Sequence, residues 1–589
     1  MMTSGNNTSM MGANTNNSNS NNANSIIASM LQNGQQVTDV NSATIPIGYV
    51  NQLKLPSNSG GLMGIIDSPN TNLSFNAKSM TASILPNINS NILGYSVNYN
   101  GKDYYNPILK VQAGANFQST LTNQLSEATI LHWHGLILDS KNDGLPWQAI
   151  ATNGTYSYNF TVANRSGTYW YHPHPDGKTA RQAYMGLAGF YIVEDADSIN
   201  LNNSLDLSLG TTDIPLVIQD KRLDSAGNLL YNPNVMDSMM GYYGDTILVN
   251  LTTKPLLNLS NRIYRFRLLN GSNARIYRFA FMKNISDKMS FNIIGTDGGL
   301  LDKPYSVNEV FIAPGERVDV LLDLTSLTVN DSFYLKSLAF DFMDNEIAAM
   351  GSGMMSNNSL NTGMMGALAM SGMKSGKNGH GIMGFGRKKA DNNNGMMATA
   401  GMMNSANTSS MMQSSSLAIG TEFYVMKFVV TDKVTYSKQI PSTLSNIANT
   451  DVSSAAIRKI SISGMQWLIN NKIYNMNEFP IEVARNSTEI WEISNPIPSM
   501  PHPMHLHGFQ FQVLQRTNSP TQIKNLSTDS NDRLITDRGW KDTLLIWPGE
   551  TVRIAINFTQ SFTGNQDYVY HCHNLEHEDK GMMINYRVK

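Results

Sequence analysis

Cysteine is almost absent from this chain, in which Cys572 is the one thiol among 589 residues. A single thiol excludes an intramolecular disulfide, and it also excludes a zinc site built on several thiolates. Cys572 is therefore either an ordinary buried thiol or a single special ligand, and the residues around it have to decide between these two interpretations.

Charge is also scarce. Lys and Arg (42) nearly balance Asp and Glu (44), and charged residues make up only 15% of the chain. Such a composition offers no field of one sign that would gather nucleic acid or an anionic membrane. No run of about 20 apolar residues is present, so no membrane-spanning helix is predicted. The stretch from Met1 to Leu53 lacks the basic and apolar regions of a secretory leader.

Composition divides the rest of the chain into segments. From about residue 43 onwards, short alternating apolar runs are separated by Gly, Asn, Asp and Pro, a pattern typical of an all-β fold. We predict a disordered tail rich in Asn, Ser and Met at 1–42, followed by three all-β domains at 43–200, 201–448 and 449–589. A segment rich in Gly, Ser, Asn and Met interrupts the second domain at about 343–416.

Histidine is concentrated in four His-x-His pairs, which hold eight of the 11 histidines. Side chains on a strand alternate between faces, so both imidazoles of a pair point to one face. One such pair would be weak evidence, but four pairs indicate a common metal site that zinc, copper, nickel or iron could occupy. The pairs are His132 and His134, His172 and His174, His505 and His507, and His571 and His573.

The sulfur-containing residues near the last pair favour copper. One thiolate, two imidazoles and a weak axial thioether are the ligand set of a blue copper site. The candidates for this set are His502, Cys572, His577 and Met582. On a strand Cys572 faces away from His571 and His573, so the thiolate would bind one copper while its two neighbours bind a different metal centre.

Four segments that contain these residues resemble the copper motifs of three-domain multicopper oxidases. They are His132-Trp-His-Gly, His172-Pro-His, His502-Pro-Met-His-Leu-His-Gly and His571-Cys-His-Asn-Leu-Glu-His-Glu-Asp-Lys-Gly-Met-Met. Other segments, among them Gln219-Asp-Lys-Arg and Gly539-Trp-Lys-Asp-Thr, are similar to the bacterial periplasmic cuprous oxidases of copper efflux and to laccase-like metallo-oxidases. The resemblance covers about residues 43–589. It implies cupredoxin-like Greek-key β-sandwich domains, dioxygen as the electron acceptor, and a monomer located in the periplasm or outside the cell.

The resemblance also implies four coppers per chain and assigns their ligands. Type 1 copper would take His502, Cys572 and His577, with Met582 as the axial ligand, and type 2 copper would take His132 and His505. The type 3 pair would take His134, His172, His174, His507, His571 and His573.

Two carboxylates are candidates for proton delivery, because reducing dioxygen to water consumes protons at a buried site. Asp143 and Glu578 match the family's positions for this role, and with Cys572 they are the predicted catalytic residues. On spacing alone, Asp143 could equally be a turn residue before Gly144, and Glu578 a solvated loop acid. His380, outside the motifs, is interpreted as a solvated residue of the Met-rich segment.

Methionine is abundant, with 35 residues, and Met-Met pairs recur within 343–416. Thioethers prefer monovalent copper, so this segment is a candidate for gathering Cu(I), although its composition also fits a linker. Met500 is the candidate contact for substrate copper, because it matches a residue of the family's substrate-copper site. This chain departs from that site at one position, where Pro498 stands in place of the family's Asp. We therefore expect a metallo-oxidase that acts on Cu(I), with Fe(II) and small phenols as further substrates, in copper tolerance.

Other copper proteins are alternatives to this expectation. A laccase acting mainly on phenols or aromatic amines would show no preference for Cu(I). A copper-storage protein has no use for a cysteine joined to a histidine cluster. A copper nitrite reductase has a single catalytic copper near its blue site, and the eight paired histidines argue against it.

Overall fold

The computed structural model describes residues 48–345, 417–463 and 466–589. The predicted tail, His380 and nearly all of the predicted Met-rich segment lie outside the described residues. Within them, no helix is long and apolar enough to cross a membrane.

The first sandwich consists of two sheets, with strand orders β10-β8-β4-β5-β6-β2 and β3-β7-β12-β11-β9. Side chains of β4 alternate between buried and exposed, whereas β11 is buried along its whole length. The short β1 lies outside both sheets and pairs with β16 of the second sandwich. The strands are β1 Asn51–Gln52, β2 Gly61–Leu62, β3 Ile65–Asp67, β4 Leu73–Leu85, β5 Ile88–Tyr99, β6 Lys102–Tyr105, β7 Ile108–Gln112, β8 Asn116–Asn123, β9 Leu131–His134, β10 Thr155–Thr161, β11 Gly167–Pro173 and β12 Gly189–Glu194.

The second sandwich has two sheets. The strand order of the first is β15-β14-β13-β17-β23-β20-β21. The order of the second is β1-β16-β25-β24-β18-β19, and β22 also pairs with β18. Its strands are β13 Asp213–Lys221, β14 Thr246–Val249, β15 Thr252–Thr253, β16 Pro255–Ser260, β17 Ile263–Asn270, β18 Tyr277–Met282, β19 Lys288–Met289, β20 Phe291–Thr296, β21 Gly299–Val307, β22 Val310–Ile312, β23 Arg317–Asp323, β24 Ser332–Ser337 and β25 Phe423–Asp432. The predicted Met-rich segment falls between β24 and β25, which are antiparallel neighbours.

The third sandwich has sheets with the orders β27-β26-β29-β33-β31 and β28-β35-β34-β30-β32. Its strands are β26 Ala456–Ser463, β27 Leu468–Ile469, β28 Ile481–Val483, β29 Thr488–Ser494, β30 His502–Leu506, β31 Phe511–Thr517, β32 Thr543–Ile546, β33 Thr551–Asn557, β34 Gln566–Cys572 and β35 Met583–Val588. Cys572 therefore ends an inner strand of its sheet.

Helices are short and lie in the connections between strands. The α-helices are α1 Ser140–Asp143, α2 Thr179–Tyr184, α3 Ala196–Leu205, α4 Val235–Met240, α5 Thr521–Lys524 and α6 Leu575–Asp579, and two 3-10 turns span Pro146–Gln148 and Ile535–Asp537. The three sandwiches each enclose a separate cluster of buried apolar side chains. The predicted fold class, all-β with cupredoxin-like sandwiches, is confirmed, and the predicted domain boundaries stay predictions.

Candidate metal centre

Strand register brings the four His-x-His pairs together. In the first sandwich β9 and β11 are antiparallel, and His132 lies opposite His172. In the third sandwich β30 and β34 are antiparallel, and His505 lies opposite His571. In three of the pairs the second histidine is the first residue after its strand; these histidines are His174, His507 and His573.

The eight paired histidines meet where the first and third sandwiches contact each other, and none is more than 1% exposed. Their ring nitrogens form three groups, in each of which the nitrogens lie within 4.8 Å of one another. The groups are His132, His134 and His505; His134, His172 and His573; and His174, His507 and His571. The last two groups divide the six predicted type 3 ligands into two sets of three.

The first group presents two imidazole nitrogens without a partner. His132 Nδ1 lies 2.7 Å from the carbonyl oxygen of Asp143, and His505 Nδ1 lies 2.9 Å from that of Asp542. A carbonyl only accepts, so each Nδ1 carries the proton and each Nε2 keeps a lone pair. Both Nε2 atoms are buried without a hydrogen-bond partner. Such nitrogens fit metal ligation, in which the second ring nitrogen is fixed by an outer acceptor.

Two nitrogens of the third group face each other with lone pairs. His507 Nδ1 contacts the Asp143 carboxylate at 2.7 Å, and His571 Nδ1 lies 3.1 Å from the carbonyl oxygen of Cys572. Their Nε2 atoms, left without protons, are 3.0 Å apart. His174 Nε2 lies 3.3 Å from His571 Nε2. Lone pairs at this separation repel, and a cation between them would convert the repulsion into ligation.

His134 has the opposite tautomer, with the proton on Nε2. Its Nε2 lies 3.0 Å from Asp542 Oδ1, so Nδ1 carries the lone pair and faces His172 Nε2 at 3.3 Å. His172 Nδ1 in turn lies 2.9 Å from the carbonyl oxygen of Pro173. The remaining member of this group, His573, has neither ring nitrogen hydrogen-bonded.

Burial keeps most of these imidazoles neutral, as metal ligation requires. Burial lowers the pKa of His174 and of His573 to about 3. Burial, assisted by neighbouring imidazoles, also lowers the pKa far below its ordinary value at His134, His172, His505 and His507.

A second ligand set lies around Cys572. Its Sγ is 3.5 Å from His502 Nδ1 and 3.7 Å from His577 Nδ1. The Cys572 N–H donates to the carbonyl oxygen of Met582 at 3.0 Å, and both side chains are fully buried. Burial raises the pKa of the Cys572 thiol, so a thiolate here requires the charge of a metal ion. One sulfur and two Nδ1 atoms fit three of the ligands of a blue copper site, and Met582 lies in the same buried core as Cys572.

The two candidate acids contact the histidines directly. Asp143 Oδ2 lies 3.3 Å from His132 Nδ1, in addition to its contact with His507. Glu578 lies 3.1 Å from His571 Nδ1 and 3.6 Å from His174 Nδ1. Although burial raises the pKa of Glu578, these imidazoles lower it to about 2. Asp143 is fully buried and Glu578 is 2% exposed, so Glu578 is not a solvated loop acid.

Several contacts of the centre were not predicted from the sequence. The Asp542 side chain contacts His134 and its carbonyl contacts His505, and the sequence signal for it was the Gly539-Trp-Lys-Asp-Thr segment. The carbonyl oxygen of Met239 in α4 lies 2.9 Å from His577 Nε2, and no motif indicated this contact.

The predicted substrate contact, Met500, is 4% exposed and lies two residues before His502. Its carbonyl oxygen accepts hydrogen bonds from Asn495 Nδ2 at 2.8 Å and from Ser499 Oγ at 3.3 Å. Ser499 Oγ also lies 3.3 Å from His502 Nε2. Met500 is therefore tied through its backbone to the histidine of the Cys572 ligand set.

Family comparison covers most of the chain. Three sequence models, each described as multicopper oxidase, match residues 86–198, 210–358 and 440–589. Each match falls largely on one of the three sandwiches, and those on the first and third contain all the predicted copper ligands.

Similar proteins cover nearly the full length. A multicopper oxidase (mco) of Staphylococcus haemolyticus is 30% identical over 84% of this chain and 83% of its own length. A laccase of Bacillus subtilis is 28% identical over 77% of this chain and 78% of its own. The crystal structure of the McoA multicopper oxidase from the hyperthermophile Aquifex aeolicus is 36% identical, with a TM-score of 0.72, and covers 92% of this chain and 99% of its own.

Proposed function

This chain is a member of the multicopper oxidase family, and from that premise we propose that it couples one-electron oxidation of Cu(I) to four-electron reduction of dioxygen to water. Fe(II) and small phenols are proposed as slower substrates. The proposed role is copper tolerance, carried out by a monomer in the periplasm or outside the cell. The family membership supports an oxidoreductase that uses copper.

We propose four coppers per chain, held by the three histidine groups and the Cys572 set. Bound copper supplies one-electron redox chemistry and, as a cluster, the capacity to deliver four electrons to dioxygen. His502, Cys572 and His577 would hold type 1 copper, and the Met582 thioether is proposed as a further ligand. The buried Nε2 atoms of His132 and His505 support their proposed role as type 2 ligands. The other two histidine groups would hold the type 3 pair.

The peptide around Cys572 connects the two ligand sets. The Cys572 sulfur faces His502 and His577, while its sequence neighbours His571 and His573 belong to the two type 3 groups. The connection consists of covalent bonds and is fully buried, so it excludes water. This arrangement supports electron transfer from a substrate-facing site to the site where dioxygen is reduced.

Two buried carboxylates support proton delivery to the reduced oxygen. Asp143 accepts from His507, and Glu578 contacts His174 and His571, so both acids touch the same group of ligands. A carboxylate at hydrogen-bonding distance from the ligands can take up a proton and pass it inward. We propose this role for both residues.

The observation that carries Cu(I) as the substrate is a set of methionines beside the Cys572 ligand set. The methionine cluster comprises Met239, Met240 and Met500, which belong to one buried apolar cluster, and Met236 and Met343, which pack against it. The Met239 carbonyl contacts His577, and the Met240 carbonyl accepts a hydrogen bond from Asn574 at 3.1 Å. Thioethers are soft ligands that select Cu(I) over harder ions.

The described residues on either side of the Met-rich segment pack near these methionines. Met343 and Ile419 pack against the apolar cluster that contains Met239, Met240 and Met500. We propose that the thioethers of the segment gather Cu(I) for oxidation.

Leucine substitutions test the substrate assignment, because they keep volume while removing sulfur. We expect Met239→Leu combined with Met500→Leu to raise KM for Cu(I) in oxygen-uptake assays and to leave KM for a phenol unchanged. The control is Met426→Leu, a fully buried methionine in the core of the second sandwich. Equal effects on both substrates, or a wild-type preference for phenol, would move the assignment to laccase.

A further inference from the structure

Arg317 joins all three sandwiches. It begins β23 in the second sandwich and is fully buried. Its Nε donates to the carbonyl oxygen of Thr168 in the first sandwich at 2.9 Å. Nη1 donates to the Gly315 carbonyl and to Asp542 Oδ1, each at 2.8 Å. Nη2 donates to the Asp297 carbonyl at 2.9 Å and to Asp542 Oδ2 at 2.5 Å. All five N–H groups of the guanidinium are thereby used.

The carboxylate that Arg317 holds is the partner of His134. Asp542 accepts from Arg317 with both oxygens, and its Oδ1 also lies 3.0 Å from His134 Nε2. An ionised carboxylate only accepts hydrogen bonds, so the imidazole proton stays on Nε2 and the lone pair stays on Nδ1. Nδ1 is the nitrogen that faces His172.

The loop before Arg317 touches the same group of ligands. A Cβ added to Gly315 would lie 3.0 Å from the ring of His573, and this glycine has a φ of +84°. Only glycine fits such a close approach at a positive φ. Arg317 fixes this loop through the Gly315 carbonyl, so one side chain positions a contact to His573 and the acceptor of His134.

We propose that Arg317 is a positioning residue for the type 3 histidines, which acts through Asp542 to fix the tautomer of His134 that presents Nδ1 to copper. This inference rests on the proposed copper chemistry of the centre. It gives a role to the second sandwich, which contains none of the predicted copper ligands.

Arg317 holds the Asp542 carboxylate in the position that His134 needs. Nη1 and Nη2 donate to the two carboxylate oxygens, and Oδ1 is thereby kept 3.0 Å from His134 Nε2. Without these two hydrogen bonds the carboxylate is free to turn away from His134. The imidazole would then lose the acceptor that fixes its tautomer and its ring orientation.

The test compares copper-loaded Arg317→Met, Arg317→Lys and Arg267→Met with the wild type. Arg267 is a matched control, because it is also buried, lies on the adjacent strand β17 and pairs with Asp213 and Asp319. It also donates to the Thr168 hydroxyl, and no contact with a histidine is found for it in the described residues. The readouts are copper per chain, the EPR-visible fraction of that copper, and the blue absorption of the Cys572 site.

We expect Arg317→Met to keep the blue absorption, to lose copper and to raise the EPR-visible fraction as the type 3 pair uncouples. Oxygen uptake should fall about 10–100-fold, the range for loss of an outer partner of a metal ligand. Arg317→Lys keeps the charge but not the forked geometry, so an intermediate change is expected. Arg267→Met should match the wild type in all three readouts.

Two results would overturn the inference: a wild-type EPR-visible fraction in Arg317→Met, or equal changes in Arg317→Met and Arg267→Met. If Arg317→Met does not fold, the comparison of Arg317→Lys with Arg267→Lys decides in the same way. A wild-type protein that binds copper but shows no EPR-silent pair would instead contradict the proposed function.

Discussion

Removing the charge of Asp143 should slow dioxygen reduction without altering the site that receives electrons. Asp143 Oδ2 lies 2.7 Å from His507 Nδ1. Asn at this position can still accept a hydrogen bond, but not a charge-assisted one, and that difference amounts to about 1–1.5 kcal/mol. At about 1.4 kcal/mol per decade this is close to 10-fold, and loss of proton delivery adds to it. We expect oxygen uptake by Asp143→Asn to fall about 10–100-fold.

The assay is oxygen consumption at saturating reductant, with the blue absorption recorded in parallel. Asp139→Asn is the matched control, because Asp139 caps the same short helix α1 through Asn142 and carries the same charge. The blue absorption should be unchanged in both variants, since Asp143 does not belong to the Cys572 ligand set. If Asp143→Asn and Asp139→Asn retain equal activity, the role assigned to Asp143 is wrong.

Other variants test separate parts of the structure. Gly315→Ala should lower oxygen uptake, because the added Cβ meets the His573 ring. Gly114→Ala is the control, since it imposes the same backbone strain at φ +82° but its Cβ has nothing within 4 Å. Equal activities of the two variants would contradict a role for the contact with His573. Burial lowers the pKa of Lys221 to about 7, so folded protein binds fewer protons than unfolded protein above that pH. The free energy of unfolding should therefore rise between pH 7 and about 10, where the unfolded side chain titrates, by at most about 1.4 kcal/mol per unit, and Lys221→Met should remove this rise in urea titrations. Deleting residues 350–412 should impair Cu(I) oxidation and leave or raise phenol oxidation; an equal loss of both would argue against a role in gathering copper.

The fold was predictable because the strand signals are local. The apolar run at 263–269 became β17, and the run at 457–463 became β26. The apolar run at 309–322 is divided into β22 and β23, because Gly315 adopts a positive φ between the two strands. That turn lies against His573, a contact that no local pattern encodes.

The candidate site was predictable where ligands come in motifs, and unpredictable where partners are distant in sequence. Spacing of two residues predicts that His571 and His573 serve a different centre from Cys572; their side chains lie in candidate groups that do not contain Cys572, and the metal binding itself stays a prediction. The contact of His134 with Asp542 spans 408 positions, so it follows only from the packing of the first sandwich on the third. For the same reason the sequence could not reveal which ring nitrogen each histidine presents, or that Met239 lies against His577.

The most direct test of the central claim is oxygen consumption by copper-loaded protein with Cu(I), Fe(II) and a small phenol in parallel, for the wild type and Cys572→Ser. We predict fastest turnover with Cu(I), together with a blue absorption, and loss of both in the variant. Faster turnover of the phenol would identify a laccase. No oxygen uptake by fully loaded wild-type protein would contradict the oxidase function itself.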